Sequence, residues 1–270
     1  MNLWDVFKTN KPVKAKETYN FLVVAALQEE LNEFYKLNQS FNKKTKKEGG
    51  AYEVSYTIRG EKIKILTYTP NKMGMPLNAA SLMHIIGLHE PIYTIMIGTC
   101  ACIAKKHNLG DVLIPDRVFS YESGKYENGE FKPDYSAHNT GDDLRKQAEL
   151  LKSQLGSKLK YNVTTDEDFC SGGAVVDDIE LSKEIISRCG RKLSGLDMEA
   201  YSVACINTIL KGDKELLVVK GISDFAKDKQ DAEQQGNKDL AKQNSAHFAF
   251  ELIKHLQETQ FGFNQNVQIT

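Results

Sequence analysis

FLVVAAL, Phe21 to Leu27, is a continuous apolar run that leads straight into Gln28-Glu29-Glu30-Leu31. A run of this kind fits a strand buried on both faces of a parallel sheet. The acidic pair after it fits the first turn of a helix, where negative charge is favourable against the helix dipole. The strand-then-helix unit recurs along the chain. Ile92 to Gly98 (IYTIMIG) is a second buried strand and Leu216 to Ile222 (LLVVKGI) a third, ending at Ser223-Asp224. Leu193 to Leu196 is a short strand ahead of a helix from Met198 to Leu210. Further helices are expected over Leu77 to Leu88, Asp142 to Leu155, Glu180 to Cys189 and Lys238 to Thr259. Ala51 to Arg59 and Lys62 to Thr69 form a strand pair turned at Gly60, and Asp111 to Tyr121 is another strand. The remaining segments read as connections: a tight loop over Gly98 to Cys102, a long loop or flap over Ser120 to Gly141, a turn region over Asp168 to Asp178 and a mobile loop over Lys227 to Asn237. Strands alternating with helices predict an α/β fold around a mixed sheet, in one domain.

The bulk properties narrow the function. At 270 residues the chain can bury a sizeable core. A formal net charge of −1 gives no reason to expect nucleic acid or a membrane surface as partner. No apolar run reaches the roughly 18 residues that span a bilayer, and Met1 to Asn20 lacks the apolar core of a secretory signal. The scattered cysteines Cys100, Cys102, Cys170, Cys189 and Cys205 fit a reducing cytoplasm better than a disulfide framework. Cys100 and Cys102 have no second pair at metal spacing, so no metal is expected there. Residues 1–18 form an arm in which Trp4 and Phe7 stand among Lys8, Lys11, Lys14 and Lys16. It is either a frayed terminus or a docking element for a partner or sister subunit.

Three carboxylates, Glu30, Glu199 and Asp224, fall where buried strands end. Open α/β sheets bind ligands outside the carboxyl ends of their strands. Each acid also has an ordinary structural reading, as helix-start charge for Glu30 and Glu199 and as an N-cap or turn residue for Asp224.

The segments FLVVAALQEEL, GTCA, NLGDVLIPD, SGGAVVDD, GLDMEAYSVA and VVKGISDFA occur in an order and spacing that resembles the nucleoside phosphorylase superfamily. Among its housekeeping members the similarity is greatest to methylthioadenosine/S-adenosylhomocysteine nucleosidases. It covers about Tyr19 to Gln260, so residues 19–262 are expected to form a nucleoside phosphorylase-like catalytic domain, a three-layer α/β/α structure with a central mixed sheet. The resemblance implies that Asp224 protonates N7 of a departing purine and that Ser223 helps hold its carboxyl. Glu199 would bind the ribose hydroxyls, Met198 would pack on the sugar, and Glu30 would position and deprotonate water. Thr99 and Cys100 stand where the family places the loop over water or phosphate, and Val175 and Val176 where it lines the base. The chemistry is consistent with these roles, because leaving an oxocarbenium-like sugar needs a proton donor at the base and a nucleophile on the opposite face. The resemblance implies no cofactor, and a homo-oligomer. Phosphorolytic members carry an Arg-bearing, glycine-rich phosphate loop near the N-terminus. This chain has Glu29-Glu30 and no Arg there, which favours hydrolysis.

Departures from the housekeeping pattern point to a subfamily. GTCAC replaces a Ser-Ala-Gly-Gly type loop, and SGGAVV replaces a segment with an Asp and a base-stacking Phe. With Lys72-Met73-Gly74-Met75, the Tyr121-Glu122-Ser123-Gly124-Lys125 flap and Ala200-Tyr201, the chain resembles the phosphorylase-like effectors of antiphage defence, which attack adenine nucleotides such as ATP. That resemblance implies a nucleotide-depleting enzyme with a regulatory partner or activator. Lys105, Lys106, His107, Arg117 and Lys125 are the candidate phosphate contacts, Lys125 foremost, or else a solvated basic surface. Housekeeping cleavage and a non-catalytic nucleotide-sensing module are the alternatives. The intact Glu30, Glu199 and Asp224 set argues against the second.

Overall fold

The structure is a computed structural model. It describes residues 18–262 apart from 105, 135, 191, 211–213 and 228–231. Trp4, Phe7 and Lys105 lie outside the described residues. The first half of the chain forms β1 (Phe21–Ala25), α1 (Gln28–Lys36), β2 (Thr45–Lys46), β3 (Tyr52–Ile58), β4 (Glu61–Tyr68), α2 (Met75–His89), β5 (Tyr93–Cys102) and β6 (Val112–Ser120). There follow β7 (Gly124–Glu127), β8 (Glu130–Pro133), β9 (Ala137–Asn139), α3 (Asp142–Leu155), β10 (Val163–Ser171), α4 (Ile179–Cys189), β11 (Leu193–Asp197), α5 (Ala200–Ile209), β12 (Glu215–Asp224) and α6 (Ala232–Leu256).

The main sheet runs β11-β10-β6-β12-β5-β1-β4-β3-β2, with β9 paired to β6. β1 is parallel to both β4 and β5, and its alternating side chains divide between two helical layers. Phe21, Val23 and Ala25 join a core with Leu31 and Phe34 of α1, Leu144 and Leu151 of α3, and Phe248 and Leu252 of α6. Leu22 and Val24 join the opposite core with Leu82 and Ile86 of α2 and Val203 and Ile206 of α5. The result is a three-layer α/β/α structure around a mixed sheet, and it explains why FLVVAAL has no polar alternation.

Four connections expected from the sequence differ in the structure. Gly98 to Cys102 is the end of β5, not a tight loop, because Ala101 and Cys102 pair antiparallel with Leu196 and Gly195 of β11. That pairing curls the sheet on itself, since β11 also pairs with β10. The segment read as a turn region from Asp168 begins inside a strand. β10 runs through Glu167 and Asp168 because both carboxylates are satisfied, Glu167 by Lys106 and Ser194, and Asp168 by Arg117. The flap contains the β7–β8 hairpin, turned at Asn128 (φ 54°) and Gly129 (φ 86°). Asn-Gly is the sequence best suited to that turn, since both residues tolerate positive φ. Finally, α6 already begins at Ala232, which shortens the expected loop over Lys227 to Asn237.

Candidate active site

The carboxyl ends of β1, β5, β11 and β12 surround a cavity of about 330 Å³. Its lining includes Glu30, Thr99, Cys100, Val175, Val176, Met198, Glu199, Ser223 and Asp224, residues brought together from five separated parts of the chain. Of the expected site residues, Lys125 is not among them. It lies exposed on β7, ion-paired to Glu127.

Glu30 sits in the first turn of α1. Its Oε2 accepts from the backbone N–H of Leu27 at 3.1 Å, which is a helix cap, and its Oε1 accepts from the N–H of Thr99 at 3.1 Å. The ordinary and functional readings of Glu30 therefore hold together: the cap aims the carboxylate across the cavity floor. Gly98 makes room for it. With φ at 152°, a Cβ there would stand 2.6 Å from Glu30 Oε1. Burial pushes the Glu30 carboxyl above its ordinary range, against the opposing charge of Lys220.

Glu199 precedes α5 but does not cap it with its side chain. Its Oε1 accepts from the N–H of Gly74 at 3.1 Å and its Oε2 from Lys220 Nζ at 3.3 Å. The Lys72-Met73-Gly74-Met75 turn is thus held over the acid, with Met73 on the cavity wall.

Lys220 was not anticipated as a site residue. It is fully buried on β12, with Nζ 3.2 Å from Asp197 Oδ2 and 3.3 Å from Glu199 Oε2. Burial opposes its charge, but Asp197, Glu199 and Glu30 outweigh that and hold the ammonium well above its usual range. Asp197 is fixed in turn by Ser171 Oγ at 2.6 Å and by the N–H of Ala200 at 3.0 Å. The signal for Lys220 was present in LLVVKGI, because lysine is almost never fully buried without a partner.

Asp224 ends β12. Its Oδ1 accepts from the N–H of Ala226 at 2.9 Å, and Ser223 Oγ lies 2.8 Å from its Oδ2 and 3.2 Å from the carbonyl of Cys100. One hydroxyl has one proton, so it serves either oxygen in turn. When Asp224 is ionised, Ser223 donates to it. When Asp224 is protonated, it can donate to Ser223, which donates onward to Cys100. Both arrangements leave each hydrogen-bonding group with a partner.

Val175 and Val176 lie in the connection after β10. Val176 is buried, whereas Val175 leaves 55% of its surface uncovered, an apolar face available to a ligand. Tyr121 closes the same side, with its hydroxyl donating to the Ala174 carbonyl at 2.8 Å. Two of the other expected cations are engaged elsewhere: Lys106 pairs with Glu167, and Arg117 Nη2 lies 2.6 Å from Asp168 Oδ2. The lysines on the cavity lining are Lys238 and Lys242 of α6. Lys242 is 3.1 Å from both Glu29 and Asp239. Burial opposes its charge, and these two acids overcome that and raise its proton affinity. Glu29 therefore points at α6 while Glu30 points into the cavity.

Residues 20–256 match the model of the phosphorylase superfamily, and the chain belongs to that family. A curated relative, an uncharacterized protein of Sinorhizobium fredii, is 26% identical over 179 residues, which are 60% of this chain and 43% of that protein. The match therefore spans less than half the relative's length. Among solved structures, futalosine hydrolase of Helicobacter pylori superposes with a TM-score of 0.71 at 16% identity, covering 88% of this chain and 99% of the other. The 5'-methylthioadenosine/S-adenosylhomocysteine nucleosidase of Neisseria meningitidis, in complex with methylthio-immucillin-A, superposes with a TM-score of 0.69 at 19% identity, covering 87% and 98%. These likenesses establish a shared fold. Among the described residues no helix is long and apolar enough to cross a membrane.

Proposed function

We propose that this protein is a purine N-glycosidase that hydrolyses the base–ribose bond of an adenine nucleotide such as ATP. The observation that carries the hydrolase reading is the convergence of Glu30, Glu199 and Asp224 on one cavity, each held by named donors. In this mechanism Asp224 gives its proton to N7 of the base as the C1'–N9 bond breaks, and the electron pair leaves with the purine. Water adds to C1' of the oxocarbenium-like sugar, and its proton passes to Glu30. A carboxylate with raised proton affinity is a better base near neutral pH. Glu199 takes the ribose hydroxyls and Met198 the sugar face. Val175 and Val176 line the base, while Thr99 and Cys100 hold the water side. The Glu30 carboxylate on the cavity floor, with no Arg at the β1–α1 junction, disfavours a phosphate nucleophile, which supports hydrolysis.

The nucleotide substrate, and with it a role as a nucleotide-depleting effector of antiphage defence under the control of a partner, rests on the sequence resemblance and on Lys238 and Lys242 at the cavity. A second reading is cleavage of methylthioadenosine or S-adenosylhomocysteine. It is favoured by the apolar Leu27, Met73 and Val175 on the cavity wall and by the prior pairing of Lys242 with Glu29 and Asp239. Incubation with ATP, AMP, adenosine and methylthioadenosine, with and without phosphate, decides between them by the release of free adenine. Release from ATP in preference to methylthioadenosine is expected. The reverse preference selects the second reading, a sugar 1-phosphate product overturns hydrolysis, and no adenine from any substrate overturns the enzyme reading.

A further inference from the structure

Cys170 and Cys189 lie far apart in sequence, yet their sulfurs are 3.1 Å apart. Cys170 is completely buried near the end of β10, and Cys189 is the last residue of α4 and only half-buried. A disulfide has an S–S bond of about 2.05 Å, so about 1 Å of closure separates the two thiols from a bond. The partner that must be reached from outside is also the accessible one. Cys189 lines a second cavity of about 300 Å³, walled by Tyr121, Tyr126, Phe131, Leu181 and Arg188. The hydrogen bond from Cys170 holds the Cys189 thiol below its ordinary pKa. Burial opposes this shift and Arg188 assists it.

We infer that Cys170 and Cys189 are a redox modification site that takes hydrogen peroxide or an organic hydroperoxide through the second cavity and closes to a reversible disulfide. The Cys189 thiolate attacks the O–O bond, forming a sulfenic acid and releasing water or the corresponding alcohol. The Cys170 thiol then attacks the Cys189 sulfur, the S–S bond forms, and the hydroxyl leaves as water. Two thiols lose two electrons and two protons, and one peroxide is reduced.

The site is joined to the larger cavity by the chain itself. The bond would close a loop over residues 171–188, which contains Val175 and Val176 and begins at Ser171, the donor to Asp197. A cross-link on a loop of this length restricts the unfolded chain and ties the C-terminus of α4 to β10.

The test treats the purified full-length protein with hydrogen peroxide, alkylates the remaining thiols and maps the peptides by mass spectrometry. The expected result is a linked pair of peptides carrying Cys170 and Cys189, 2 Da lighter than the sum of the reduced peptides and separated by dithiothreitol. Oxidation should raise Tm by several degrees, on the order of 5 °C, and slow hydrogen exchange over residues 172–178. Cys189→Ser should abolish the link, the Tm shift and the exchange protection, and leave Cys170 open to alkylation on unfolding. Recovery of Cys189 as a sulfinic acid with Cys170 still reduced would overturn the proposal. So would a link confined to Cys100 and Cys102, or a full set of alkylated thiols after peroxide. None of these readouts depends on the proposed reaction.

Discussion

Replacing Lys220 with methionine keeps most of the side chain's volume and removes its charge. Nζ stands 3.2 Å from Asp197 Oδ2 and 3.3 Å from Glu199 Oε2, in full burial. At an effective dielectric of 20, each contact is worth about 5 kcal/mol before solvation. Desolvation of the ammonium and the acids offsets several kcal/mol per ion, so the net value of the cluster is small. Breaking it is a different matter, because the acids stay buried without their counter-ion. That loss costs about 3–5 kcal/mol, a large share of the roughly 5–15 kcal/mol that stabilises an ordinary domain. It corresponds to a fall in Tm on the order of 10 °C. The sign with pH follows from linkage. The raised proton affinity of folded Lys220 makes its contribution fully present below the unfolded lysine pKa of about 10.4, and it is lost as pH rises through the higher folded value. From pH 5 to 8 the wild type therefore keeps its cation. The variant recovers charge balance only by binding protons to its acids, so its deficit should be smaller at pH 5 than at pH 8. Lys220 is also the strongest influence opposing the upward shift of Glu30. Without it, the acid limb of the kcat/KM profile should move to higher pH. Urea unfolding at the two pH values and a pH–rate profile measure both effects. An equal deficit at pH 5 and 8, together with an unmoved acid limb, would refute the view that Lys220 is the counter-ion of this site.

Glu30→Gln should lower kcat by about 10²–10⁴-fold through loss of the base, whereas Glu29→Gln should leave kcat within a few-fold, since the Glu29 carboxylate bonds Lys242 of α6 and not the backbone of Thr99. In the wild type, activity should fall as pH drops through the Glu30 pKa, which burial raises, so the acid limb should lie above the ordinary glutamate value of about 4.3. Gly98→Ala should cost at least 10-fold in kcat/KM and lower Tm, because its Cβ would meet Glu30 Oε1 at 2.6 Å with φ at 152°; wild-type rates would show that the carboxylate has room to move. Lys238→Ala with Lys242→Ala should raise KM for ATP several-fold more than KM for adenosine, and equal changes would remove these lysines as phosphate contacts.

The sequence by itself determined the layers and singled out the acids that meet at the cavity. Phe21 to Ala25 is apolar at every position because two cores claim its alternate side chains, so its burial and neighbouring helix were legible in one dimension. The residues Glu30, Glu199 and Asp224 were legible because acids at the ends of buried strands stand out against their apolar surroundings. The tertiary structure decided what depends on pairing across the chain. Whether Gly98 to Cys102 is loop or strand is set by β11, nearly a hundred residues later, whose backbone satisfies Ala101 and Cys102. Whether a basic residue is free for a ligand is set by its acid, and Lys106, Arg117 and Lys125 found theirs in Glu167, Asp168 and Glu127. The lysines at the cavity came instead from α6, and the one that bridges Asp197 and Glu199 from the middle of β12. Periodicity records which side of an element is dry, but it cannot record which charge meets which. That pairing exists only once the strands have come together.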